Sequence, residues 1–163
     1  MGGTKAVALT PADVERRVGT TYPEPFRKQV ETRSKRLLGD AFGLTRYGVN
    51  LVDLPPGQWS SQRHWHTHED EFVYVLSGEL TLVTDRGEEV LTPGMFAGFR
   101  AGDANGHHLA NNGTDTATYL EIGDRDPGDE VFYPDIDLQL VSDGEGHRVF
   151  TRRDGNPYPR KGS

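Results

Sequence analysis

Arg63-His64-Trp65-His66-Thr67-His68-Glu69-Asp70-Glu71-Phe72-Val73-Tyr74-Val75-Leu76-Ser77-Gly78 is the stretch around which this chain is organised. His64 and His66 lie two apart, and in an extended strand side chains two apart leave the same face, so both imidazoles address one spot. Glu71 follows across a short polar segment, and residues 72–76 read as a buried strand that stops at Ser77-Gly78. Two imidazoles and a carboxylate on converging strands suit a borderline divalent metal: zinc, iron, nickel or manganese.

On either side the pattern is β. Residues 47–54 form one strand, Pro55-Pro56-Gly57 turns, and residues 61–66 carry the histidine pair. Beyond Gly78, strands are expected over 79–84, 88–91, 95–99, 107–111 and 117–122, with turns at Asp85-Arg86-Gly87, Thr92-Pro93-Gly94 and Asn112-Gly113. Short strands at this spacing suggest an all-β sandwich or small barrel.

The ends differ from this centre. Thr10-Pro11-Ala12-Asp13 predicts a short N-terminal helix running to Gly19, with Thr10 as cap, proline in the first turn and Asp13 completing a capping box. Tyr22-Pro23-Glu24-Pro25 is expected to be extended. The basic group Arg33, Lys35, Arg36 reads as a solvated charged face rather than an anion site. From Gly123 the chain turns acidic, a last hairpin is expected from 138–141 and 148–151, and residues 154–163 read as an arm or a disordered end. The division is thus 1–43 for the helix and arm, 44–122 for the β core, and 123–163 for acidic C-terminal strands and tail.

The 163 residues suffice for one domain with a sizeable core. An apolar share of 34%, with 20 glycines and 10 prolines, suits short strands and tight turns better than helices. With no cysteine, neither a disulfide nor a thiol nucleophile is available, which fits a reducing cytoplasm. Residues 1–10 hold no long apolar run, so no signal peptide is expected, and no stretch approaches a membrane span. A formal charge of -7 argues against nucleic acid as main partner, though a local basic pocket remains compatible with it.

The spacing Gly57, His64-Trp65-His66, four residues, Glu71, six residues, Gly78 resembles the first motif of the cupin superfamily. Gly94, residues 95–99 and Arg100-Ala101-Gly102 resemble the first half of its second motif, with Arg100 where a proline is usual. The family histidine falls near Asn105; His107 and His108 come two and three residues later, so the loop is longer by two. His107, Leu109 and Asn111 share one face of the next strand, as the family's ligand, apolar residue and asparagine do. The resemblance therefore implies His107 as fourth ligand beside His64, His66 and Glu71, with His108 the alternative. It also implies a cupin-type double-stranded β-helix, a jelly-roll barrel holding a metal ion, often as a homodimer.

Single-domain cupins of this kind are described as sugar-phosphate isomerases, so the resemblance implies a metal-dependent isomerase acting on a sugar or sugar phosphate. An iron-dependent dioxygenase and a non-catalytic small-ligand binder are the alternatives. Isomerisation needs a proton carrier, and Glu69, Asp70, His68 and His108 are candidates. Trp65 and Tyr74 read as core or dimer-contact aromatics, Arg63 and Arg100 as surface arginines, and His147 as surface.

Overall fold

The inward and outward rows of one large antiparallel sheet decide where every side chain of the site goes. The computed structural model describes residues 8–159. A first strand pair, β1 (Arg17–Val18) and β2 (Ser34–Leu37), precedes a single helical turn, α1 (Leu38–Ala41), and the long strand β3 (Tyr47–Leu54). Then come β4 (Trp65–His66), β5 (Glu71–Ser77), β6 (Leu80–Thr84), β7 (Gly87–Leu91), β8 (Phe96–Phe99), β9 (His108–Ala110) and β10 (Ala117–Asp124). The chain ends with β11 (Val131–Tyr133), β12 (Leu138–Ser142) and β13 (Arg148–Thr151).

The strands make three sheets, ordered β1-β2-β3-β10-β5-β8, β13-β12-β11-β4 and β7-β6-β9. In the first, Lys35 pairs with Val52 and Val52 with Tyr119; Leu37 pairs with Asn50 and Asn50 with Glu121. Tyr119 continues to Val75, Glu121 to Val73 and Gly123 to Glu71, which faces Phe99. Because side chains alternate along each strand, Lys35, Val52, Tyr119, Glu121, Val73 and Glu71 share one face. Val52, Val75 and Tyr119 are fully buried there, joined by Leu80, Leu82, Leu91 and Leu109 from the facing strands. Removing each such aliphatic side chain from water contributes about 1.5–3 kcal/mol.

A second apolar cluster joins the ends of the chain: Tyr22 and Val30 pack with Val131, Tyr133 and Leu138. Gly78 closes the turn after β5 at φ 74, and a Cβ there would sit 2.7 Å from the Ala117 Cα. Only glycine meets both demands.

The central strands and the C-terminal hairpin of β12 and β13 follow the sequence expectation closely, and the other outer regions do not. The N-terminal helix is one 3-10 turn, Pro11–Asp13, with the Thr10/Asp13 capping box in place; β1 follows instead of further helix because nothing packs against a longer one. Of the stretch expected to be extended, Glu24 and Pro25 instead open a turn over residues 24–30. The strand expected over 61–66 contracts to Trp65–His66, with an isolated bridge between His64 and His107. β11 was not expected; it links the acidic segment to β4. Of the tail, residues 154–159 fold back. Tyr158 packs edge-on against Phe26 and donates from its hydroxyl to the Asp137 carbonyl, so this part is no free arm. Residues 160–163 lie outside the described residues, as does most of the stretch read as lacking an apolar leader. No described helix is long and apolar enough to cross a membrane.

Candidate metal centre

β4, β5 and the start of β9 bring three imidazoles onto one carboxylate oxygen. Glu71 Oε2 lies 3.5 Å from His64 Nε2, 3.5 Å from His66 Nε2 and 2.9 Å from His107 Nε2. Backbone hydrogen bonds in both directions between His64 and His107, at 3.1 and 2.8 Å, hold those two residues opposite each other. The Phe99 ring, facing Glu71 across the β5–β8 ladder, stacks flat on His107 with centroids 3.5 Å apart. All four residues expected from the sequence therefore meet. His64, His66 and Glu71 each offer a ligating atom within 4.8 Å of the others.

The outer nitrogens orient two of the rings. His64 Nδ1 lies 2.9 Å from the Gln62 carbonyl and 3.1 Å from Ser61 Oγ, and His66 Nδ1 lies 2.7 Å from Asp129 Oδ2. A carbonyl or carboxylate only accepts, so each neutral ring carries its proton on Nδ1 and turns the Nε2 lone pair toward Glu71. Lone pairs converging on a carboxylate oxygen repel unless a proton or cation lies among them. The donor set thus fits a divalent ion, with Asp129 in the supporting position that carboxylates take behind metal-bound histidines.

The charges agree with this geometry. Burial pushes the Glu71 carboxyl up, but the close contacts with His107 and His64 and the nearby His66 imidazole outweigh it and hold it well below its ordinary range. Burial also opposes charge on His66, yet Asp129 and Glu71 raise it overall. Burial lowers His107 despite Glu71. Asp129 is fully buried; burial raises its carboxyl, while His66, the His68 amide and Arg148 bring it down to about 2.

His108 leaves the opposite side of the strand from His107. It packs on Trp59 at 4.6 Å between centroids, and burial pulls it down to about 4. The alternation argument for His107 matches this placement. His68 is exposed against Thr67, and Asp70 caps the Ala101 amide, so neither reaches the centre. Glu69 does approach, 3.6 Å from His66 Nδ1, and lines a small cavity of about 140 Å³ with His66, Glu71 and His107. Arg63 holds Asp135 and Asp85, a structural tie between loops. Trp65 stacks on Phe132, and His147 is exposed beside Asp143 and Glu145.

A cavity of about 270 Å³ opens from the four converging residues into the barrel, and its other polar lining is Arg33, Lys35, Ser60, Ser61, Tyr119, Glu121, Tyr133 and Arg148. This corrects the view of Arg33 and Lys35 as a solvated face: the β2–β3 register turns Lys35 inward, where Nζ meets Glu121 Oε1 at 2.5 Å. Arg36, on the other face, meets Asp53. Glu121 shares the phase of buried Ala117 and Tyr119, a signal already present in the strand's alternation. Asp129 had no such signal, because nothing local marks one aspartate of an acidic segment as buried.

The chain belongs to the cupin superfamily. A family model described as a cupin domain matches residues 50–123. A cupin-superfamily sugar phosphate isomerase of Silicibacter pomeroyi is 45% identical, with 93% of this chain and 96% of that one covered at a TM-score of 0.87. A candidate sugar phosphate isomerase of Acidithiobacillus ferrooxidans is 35% identical over 80% of this chain and 82% of that one, at a TM-score of 0.70. A predicted oxalate decarboxylase of Thermotoga maritima, at 18% identity and a TM-score of 0.60, shares the fold. No curated protein matches the chain.

Proposed function

We propose that the protein is a metal-dependent isomerase that interconverts the aldose and ketose forms of a small sugar or sugar phosphate. The observation that carries this is the convergence of His64, His66, His107 and Glu71 on the wall of a cavity sized for a small ligand. The similarity to the Silicibacter pomeroyi protein supports the choice of reaction. These four residues would hold the ion, and such a set of imidazoles and a carboxylate accepts zinc, iron, manganese or nickel as availability dictates. A divalent cation there supplies Lewis-acid polarisation of adjacent carbonyl and hydroxyl oxygens.

The chain's own work is proton transfer. A proton leaves the carbon beside the carbonyl and returns to the carbonyl carbon, with the hydroxyl proton passing between the two oxygens, so no oxidant is consumed. Among the described residues, Glu121 is the carboxylate of the 270 Å³ cavity outside the converging group. Burial opposes its ionisation, but Lys35 and Arg33 outweigh that and keep it charged, ready to accept a proton. Loaded with each metal in turn, the protein is expected to interconvert at least one pair in a panel of aldose and ketose phosphates. Glu121→Gln is expected to abolish turnover while retaining metal. No interconversion with any metal would overturn the proposal, and ring-opened products under oxygen with ferrous iron would assign a dioxygenase instead.

We also propose that the protein is a homodimer. The outward face of the six-stranded sheet, normally polar where it meets water, carries Phe72, Tyr74, Leu76 and Phe96, exposed by 37, 37, 44 and 65%. Phe96 stacks with both Phe72 and Tyr74. A contiguous apolar row of this kind marks a contact surface.

A further inference from the structure

Arg33 has no counterpart in the metal-centred account of the cavity. Among the three cations that line it, Lys35 is paired with Glu121 and Arg148 with Asp129 at 2.8 Å. Arg33 makes no ion pair among the described residues, and its buried Nε meets no acceptor. Two other arginines also bury an unpartnered Nε, but both are neutralised through another nitrogen: Arg27 by Glu24 and Arg36 by Asp53. A buried donor left open on the wall of a cavity is a place for a partner that arrives from outside.

The placement follows from the strand phase. Arg33 lies two residues before Lys35, so both address the cavity, while Ser34 and Arg36 address Asp53 on the opposite face. With Lys35 matched by Glu121 and Arg148 by Asp129, Arg33 is the cation of the lining that has no ion pair among the described residues, within a chain whose overall charge is -7. An unpaired cation facing a cavity in an acidic protein favours an anionic group at that point.

We infer that Arg33 is the anion-binding residue of this cavity and that it takes the phosphate group of a phosphorylated substrate, whose other end lies against the His64, His66, His107 and Glu71 group. This rests on the proposed function in that it uses the same cavity. Of the two common oxyanions, phosphate is assigned because the proposed substrate is a sugar phosphate and the guanidinium fork can meet two of its oxygens at once.

The test is a binding measurement on the full chain, as purified and again after metal removal by chelation. The probe is inorganic phosphate, followed by glycerol 3-phosphate, with glycerol and malonate as neutral and carboxylate controls. Calorimetry is expected to show one phosphate per chain, weakened roughly tenfold or more in Arg33→Gln, and no binding of glycerol. Unchanged phosphate affinity in Arg33→Gln, or no phosphate binding by the wild type, overturns the inference. Binding of malonate in place of phosphate also overturns it, in favour of a carboxylate substrate. A second measurement needs no variant: phosphate is expected to slow modification of Arg33 by phenylglyoxal in the wild type while leaving exposed Arg17 unaffected, and equal rates with and without phosphate overturn the inference. Because neither readout involves turnover, loss of the isomerase assignment with phosphate binding intact sinks only the reaction.

Discussion

His66 Nδ1 and Asp129 Oδ2 lie 2.7 Å apart although 63 residues separate them in the chain. The contact exists because β11 pairs with β4, Val131 opposite His66, so the residue two before Val131 arrives behind the imidazole. Arg148 Nη2 meets the same Oδ2 at 2.8 Å, and the His68 amide donates to Oδ1. Asp129→Asn keeps an acceptor but removes the charge. It is expected to weaken metal affinity by about 10–100-fold, as loss of such supporting carboxylates does. Competition against a chromogenic chelator measures this; an affinity equal to wild type would show that Asp129 serves the fold alone.

Elemental analysis of the purified protein is expected to give close to one divalent ion per chain. The double substitution His64→Ala, His66→Ala removes two of the four converging donors and is expected to lose the metal while retaining its β-rich circular dichroism. Metal retained in the double variant would move the site elsewhere.

Gly78→Ala places a side chain at φ 74 and 2.7 Å from the Ala117 Cα, in the backbone rather than against a flexible tip. The left-handed conformation and the overpacking together are expected to cost about 2–4 kcal/mol. Urea unfolding would register this as a lower midpoint at unchanged slope; a midpoint within error of wild type would contradict the tight packing of the β5–β6 turn.

The Lys35–Glu121 pair carries a pH dependence. Burial pushes the Glu121 carboxyl up, but Lys35 and Arg33 outweigh it, so the folded-state value lies below the ordinary 4.5. A depressed carboxyl contributes stability that is present above the unfolded value and lost as pH falls through the folded one. Glu121→Gln is therefore expected to be less stable than wild type at pH 7. The pair is about one-fifth exposed, so solvent screening reduces the difference to roughly 1–2 kcal/mol. The gap is expected to close as the pH falls below 4.5, where the protonated acid and the amide become near equivalents. A gap independent of pH would show that packing, not charge, is responsible.

Phe96→Glu puts a charge at the centre of the outward aromatic row. Multi-angle light scattering is expected to give a dimer mass for the wild type and a monomer mass for this variant, with the unfolding midpoint lower for the monomer. A monomeric wild type at micromolar concentration would leave the exposed row without a second copy to cover it.

The part of the fold legible beforehand was the part with local periodicity. Leu80 and Leu82 alternate with polar neighbours, Gly87 and Gly94 fall at positive φ in the turns assigned to them, and Tyr47–Leu54 is a strand with the same ends as expected. The N-terminal helix was overextended because a capping box specifies where a helix starts, not whether a core exists to sustain it. β11 escaped because Val131–Tyr133 is three residues long, too short for a period to declare itself.

The same division runs through the site. Residue spacing put His64 and His66 on one strand face with a carboxylate across a short loop; the family resemblance selected Glu71, and together with strand alternation it favoured His107 over His108. Both are properties of a single strand or of two strands joined by a short loop. Only the tertiary structure decided that Asp129 buttresses His66, that Lys35 meets Glu121 across 86 residues, and that Arg33 lines the cavity with no ion pair among the described residues. Those relationships depend on which strands become neighbours and in what register. Non-local pairing settles that, and a shift of one residue would turn each of these side chains to the other face.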